Sequence, residues 1–219
     1  MKRDRYHLTI YLIWAALGVA ALASAFEGRW STAFVAVGTI VLSYLPFSAL
    51  ERFQLRLPPS FLLAIVLFTV MSLFLGEAFD FYERLWWWDI FLHAFSALGF
   101  GILGFLFIFM LFEGDRYAAP PWAMAFFGYC FAVTMGATWE IFEFTMDQLF
   151  GLNMQKSGLP DTMGDLIVDA LGALVGAVAG FLYLKGRQLG GLEALFDQFI
   201  EANRRFFRKY RRKDEGEGG

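Results

Sequence analysis

Residues 88–112 read WDIFLHAFSALGFGILGFLFIFMLF, and this stretch decides the fold class. Its only ionisable side chains are Asp89 and His93, both near its start. About 20 apolar residues of helix are enough to cross the hydrocarbon core of a bilayer. Inside lipid the backbone N–H and C=O groups must be satisfied within the segment, so the stretch is expected to be a helix.

Five further stretches have the same character on either side of it: residues 8–26, 30–50, 60–79, 122–147 and 162–184. Punctuation separates them. Glu27-Gly28-Arg29 divides the first two, Pro58-Pro59 precedes the third, and Pro120-Pro121 precedes the fifth. A polar loop from Gly151 to Pro160 divides the fifth from the sixth. Of 219 residues, 58% are hydrophobic, 27 are Phe and 18% are charged, against about 25% charge in a soluble domain. That composition excludes an ordinary cytosolic enzyme, a disordered chain and a disulfide scaffold. The single cysteine, Cys130, cannot form an intrachain disulfide. The expected class is all-α: a polytopic membrane protein with a bundle of six transmembrane helices in residues 1–190. Residues 191–219 are expected to form a cytoplasmic basic amphipathic helix and tail.

The first stretch also resembles a signal peptide, with Lys2-Arg3-Asp4-Arg5 ahead of it and Ala23-Ser24-Ala25 near its end. Its length, with Tyr11 and Trp14 inside it, favours a retained helix, and residue 26 emerges on the far side in either case. The N-terminus, the loop with Arg52 and Arg56, the loop with Arg116 and the tail share 15 basic residues. The opposite loops hold Arg29, Arg84 and Lys156. By the positive-inside rule both termini are expected in the cytoplasm. In the tail, Leu192, Leu195, Phe196, Phe199, Phe206, Phe207 and Tyr210 recur at helical spacing beside Arg204, Arg205, Arg208, Lys209, Arg211 and Arg212. A helix lying on anionic lipid headgroups accounts for this pattern, and nucleic acid is not needed as a partner.

The acids are not scattered. Glu140, Glu143 and Asp147 are spaced i, i+3, i+7 on the fifth stretch, and Asp161, Asp165 and Asp169 i, i+4, i+8 on the sixth. Asp89 and His93 are i, i+4 on the fourth. Each set therefore shares a helix face. At about 1.5 Å per residue, His93 lies roughly 7 Å and Asp169 roughly 10 Å inside their helix entries. Glu140 falls near the outer end of its own helix, so the three levels coincide in the outer leaflet. Ionisable groups at that depth should face the bundle or a water-filled cavity. Several carboxylates there need a cation or protons to neutralise them.

The bland readings are loop-end solvation for Asp147 and Asp161, with Asp161 also capping the sixth helix, and an outward acidic loop for Glu77, Asp80 and Glu83. Trp86-Trp87-Trp88 is expected at the membrane interface. Gly172, Gly176 and Gly180 with Ala173 and Ala177 read as a close-packing seam, with Gly99, Gly101 and Gly104 as its counterpart on the fourth helix.

Trp88-Asp89 with His93, Trp139-Glu140 with Glu143, and Asp161-Thr162-Met163-Gly164-Asp165 with Asp169 and Gly172 resemble the YjdF-type family of bacterial inner-membrane proteins. The resemblance covers about residues 76–180 and implies a multi-pass inner-membrane protein, with no reaction attached. A looser similarity reaches the VanZ-like membrane proteins, linked to glycopeptide resistance. Their pattern is a His at a helix start, a helix-borne Glu, and an Arg followed by Asp and Asn-x-x-Gly. His93, Glu140 and Asp165 match these roles. Asp169 replaces the Asn and no Arg precedes Asp165, which makes this site more acidic.

Three functions compete. The first is a metal-dependent hydrolase of a lipid or lipid-linked substrate. His93, Glu140, Asp165 and Asp169 would hold a divalent ion such as Zn, Mn or Mg, and Glu143 with His93 would serve catalysis, Glu143 as general base. The second is a cation or proton transporter using the same carboxylates. The third is a non-catalytic membrane component with a structural acidic cleft. No nucleotide-binding loop, haem ligand pair or Ser-His-Asp set is visible.

Overall fold

A computed structural model describes residues 2–115 and 117–210, with side chains for all of these except 2–4 and 49. Arg116, Arg211, Arg212, Lys213 and the side chains of Lys2 and Arg3, which enter the charge comparison above, lie outside that range. Among the described residues the structure is helical throughout: α1 (Lys2–Phe26), α2 (Trp30–Arg52), α3 (Pro59–Thr69), a π-helical stretch (Val70–Ala78), α4 (Phe81–Arg84), α5 (Trp88–Leu111), α6 (Pro121–Phe150), α7 (Leu159–Leu184) and α8 (Glu193–Ala202). Six segments are long and apolar enough to cross a membrane: Arg5–Phe26, Trp30–Arg52, Pro59–Ala78, Trp88–Leu111, Pro121–Phe150 and Leu159–Leu184. Side chains that would meet solvent in a soluble protein are large and apolar. Phe26, Phe34, Phe126, Ile141, Phe144 and Leu171 are all exposed on helix surfaces, as expected where lipid is the solvent.

The helix boundaries follow local chemistry. Pro59 and Pro121 occupy first helical positions, where a missing N–H costs nothing. Gly151 closes α6 in the left-handed region (φ 64°), and its N–H donates to the Asp147 carbonyl. The start of α7 differs from the sequence reading. The helix opens at Leu159 after Gly158, without a side-chain cap, and Asp161 sits in its first turn.

The chain divides into two compact units within α5, Met1–Leu92 and His93–Gly219. In the first, α1 and α2 fold back on each other across a turn at Gly28 (φ 75°). The Trp14 indole N–H donates to Ser43 Oγ at 2.9 Å. Ile10, Leu62 and Val66 form its core. The third span widens into the π-helix at Val70, where the sequence led us to expect uniform α-helix. Gly76 there lies flat against the Tyr82 ring, leaving no room for a Cβ, and Ser72 Oγ and Tyr82 OH are 3.1 Å apart. Trp88 is buried against Phe81, at a centroid distance of 4.9 Å, so only Trp86 and Trp87 keep the exposure expected of interfacial residues.

The second unit is built on glycine contacts. A Cβ on Gly172 would meet the Ala94 carbonyl oxygen at 2.7 Å, and one on Gly176 the Leu98 oxygen at 2.7 Å. A Cβ on Gly128 would meet the Gly101 oxygen at 2.8 Å. Backbone therefore approaches backbone at the α5–α7 and α5–α6 crossings, the geometry small residues allow in membranes. Gly99 has nothing within 4 Å and does not belong to this seam.

The tail forms a shorter helix than expected. Helix α8 ends at Ala202, and a short 3-10 turn follows at Arg204–Phe206. Its apolar face is covered by protein. Phe196 is fully buried between Phe105 (5.6 Å) and Tyr183 (4.7 Å), and Phe207 packs on Phe109 (5.6 Å). Tyr183 OH donates to Asp197 Oδ1 at 2.8 Å and lies 2.7 Å from Tyr210 OH. The phenylalanines on α5 offer this stripe a dry surface within the chain.

Candidate functional site

Helices α5, α6 and α7 each contribute acidic or imidazole side chains to one buried cluster. His93 is 8% exposed, Glu140 4%, Asp165 5% and Asp169 1%. His93 Nδ1 is 3.2 Å from Asp169 Oδ1, a hydrogen bond across 76 residues of sequence. His93 Nε2 is 3.9 Å from Glu140 Oε1. Gly136, one turn before Glu140 on α6, makes room for Asp169, since any Cβ there would overlap the Asp169 carboxylate.

The electrostatics of this arrangement are unbalanced. Both Glu140 oxygens and Asp169 Oδ2 are buried and reach no hydrogen-bond donor. Thr162 approaches Glu140 without completing a bond to either oxygen. No Lys or Arg occurs in the sequences of α5, α6 or α7. In the tautomer protonated at Nδ1, where Asp169 accepts, the Nε2 lone pair would face Glu140. Two acceptors then face each other at 3.9 Å, too far to share a proton directly. Two bonds of about 2.0–2.1 Å to one ion span such a gap.

Asp89 stands one turn before His93 on α5. The ligand atoms of His93 and Asp165 lie within 4.8 Å of each other. Asp89 shares an i, i+4 spacing with His93 and was not among the expected ligands. Glu143, the expected general base, is half-buried on the next turn of α6 from Glu140, and Trp139 Nε1 donates to its Oε1 at 2.9 Å. Cys130 is half-buried.

Sequence reasoning missed the connection above this cluster. Asp147, read as a solvated loop end, accepts the backbone N–H of Met154 (2.8 Å) and of Gln155 (3.0 Å) with its two oxygens. Gln155 Nε2 in turn donates to Thr162 Oγ1 at 2.5 Å. The loop between α6 and α7 is thus tied down, and its last member is the hydroxyl that approaches Glu140. Gly136 was also missed. Its spacing of four from Glu140 was the only available signal.

Fold and site together define a polytopic, all-helical membrane protein with a buried His/acid cluster. The family described as predicted membrane protein DUF2238 matches residues 8–186, and the chain belongs to that family, in agreement with the YjdF-type resemblance. An uncharacterized protein of Thermotoga maritima is 32% identical over 122 residues, covering 56% of this chain and 58% of that protein. The aligned part thus spans less than two thirds of the relative's length. No solved structure matches. The VanZ-like similarity finds no support among these matches.

Proposed function

We propose that this protein is a metal-dependent hydrolase of the bacterial inner membrane, acting on a lipid or lipid-linked substrate at the extracytoplasmic face. One observation carries the reading: a buried Glu140 carboxylate, whose oxygens reach no hydrogen-bond donor, lies 3.9 Å from His93 Nε2, and no basic side chain occurs on these helices. A divalent cation supplies the missing positive charge. Asp165 and Glu140 add carboxylate oxygens to the imidazole, a mixed donor set that suits Zn or Mn over Mg or Ca. Asp169 orients the ring. When bound, such an ion would polarise an ester or phosphoester oxygen. Glu143, one turn from Glu140 on α6, is the residue to which we assign the role of general base for water.

Metal analysis of the purified protein tests this. About one Zn or Mn per chain is expected, with the content falling at least several-fold in His93→Ala and Glu140→Gln. Chelation should lower the unfolding temperature of the parent protein, because an ion bound only to the native state stabilises it. Glu143→Gln should keep its metal and lose hydrolysis of the lipid substrate. If chelation changes nothing and Glu140→Gln is as stable as the parent, protons neutralise the cluster and the metal reading fails.

A further inference from the structure

We propose that the cavity between α8 and the turn after it is a headgroup site for a phospholipid whose phosphate bears a primary amine. It is separate from the metal cluster and does not depend on that reading. The cavity measures about 190 Å³. Its wall carries both signs of charge. Asp197 and Glu201 lie one turn apart on α8, and Arg204 and Arg208 line the same cavity from the segment that follows. Ile200 and Phe207, both buried, supply apolar wall.

Exposed ion pairs hold both arginines, and Asp197 also accepts from Tyr183 OH at 2.8 Å. Arg204 Nε is 3.8 Å from Glu201 Oε1, and Arg208 is 3.4 Å from Glu113 Oε1. Both arginine side chains are nearly three-quarters exposed, where such pairs are weak. A guanidinium has five donors in a planar fork suited to phosphate oxygens. A carboxylate pair is matched by an ammonium with three donors. A headgroup carrying only negative charge would be repelled by Asp197 and Glu201, and a quaternary amine would offer them no hydrogen bond.

Location favours lipid over a soluble compound as the source. Helix α8 docks through Phe196 on Phe105, twelve residues beyond His93 on α5, or roughly 18 Å along the helix axis. Phe109, which packs on Phe207, lies one turn further. In a hydrocarbon core about 30 Å thick, that end of the helix reaches the interface opposite the His93 cluster, where headgroups are the abundant charged ligands.

Full-length protein in detergent can be titrated with short-chain phosphatidylethanolamine, phosphatidylcholine, phosphatidylglycerol and free O-phosphoethanolamine, with binding read by native mass spectrometry. The ethanolamine lipid is expected to bind at least about fivefold tighter than the other three ligands. Arg204→Gln and Glu201→Gln, both exposed changes, should each weaken it about tenfold without moving the unfolding temperature. Equal binding of the three lipids, or unchanged affinity in both variants, overturns the proposal. Free O-phosphoethanolamine binding as tightly as the lipid overturns the lipid assignment.

Discussion

Gly136 is the residue whose importance comes entirely from what it lacks. The Asp169 carboxylate occupies the space where any other residue would place its Cβ, and Asp169 in turn holds the His93 ring. Gly136→Ala is therefore expected to cost about 1–3 kcal/mol, the usual range for overpacking a filled site, and to lower metal content by displacing Asp169. Detergent-phase unfolding and metal analysis on one preparation check both, and an unchanged metal content would detach Gly136 from the site. The acids were legible in the sequence because charge in an apolar helix is conspicuous and its i, i+4 spacing assigns a face. Gly136 was not legible, because a glycine in a transmembrane helix looks the same whether it faces lipid, a neighbouring backbone or a carboxylate. Asp147 was misread for a related reason. Its two backbone partners lie seven and eight residues ahead, in a loop whose path no helical periodicity specifies.

At the scale of elements, the seam between α5 and α7 gives a paired test. Gly176 faces the Leu98 carbonyl oxygen and the Gly101 Cα, and neither backbone can yield without moving a helix. Gly176→Val should cost about 1–3 kcal/mol or more. Gly99→Ala, with open space around it, should be neutral or stabilising by up to about 1 kcal/mol. Thermal unfolding of the two variants side by side checks the contrast. For α8, Phe196→Ala removes a fully buried ring and should cost about 3–5 kcal/mol while exposing the tail to protease. A tail already digested as fast in the parent would show that α8 is not docked on α5 and α7. The helix start is also pH-sensitive. Backbone hydrogen bonding at Glu193 itself, and then the N–H groups of Leu189 and Gly191, hold its carboxyl below the ordinary value. A lowered carboxyl stabilises the fold above its unfolded pKa and loses that contribution as pH falls through the folded one. Protection of α8 should therefore weaken in acid below about pH 4.3, and Glu193→Gln should flatten that dependence. The amphipathic stripe of α8 was visible in the sequence, but its destination was not. Phe196 and Phe199 fit lipid or a protein face equally well by spacing alone, and in the structure Phe196 packs on Phe105 of α5.

Across the whole molecule, if all six candidate spans cross the membrane, both ends of the chain fall on one side, and the distribution of Lys and Arg decides which side that is. Fifteen basic residues fall to the side of the termini and three to the other. Of those three, Arg29 pairs with Glu27 at 2.6 Å and Arg84 with Asp80 at 3.5 Å. The rule counts Lys and Arg near span ends and gives acids little weight, so these pairs do not enter the tally, but they show that neither arginine stands alone. Orientation is decided during insertion, and a folded chain is compatible with either one, so it must be measured on cells. A fluorescent protein fused after Gly219 is expected to fluoresce, and alkaline phosphatase at the same point to be inactive. Alkaline phosphatase inserted in the loop that carries Lys156 is expected to be active. The result also fixes the chemistry available to each end of the second unit. With the termini inside, the His93 cluster draws on substrates and metal from the extracytoplasmic side, and the α8 cavity meets the cytoplasmic leaflet. The reverse pattern would exchange those compartments, and a hydrolase acting on an outer-leaflet lipid could not survive it.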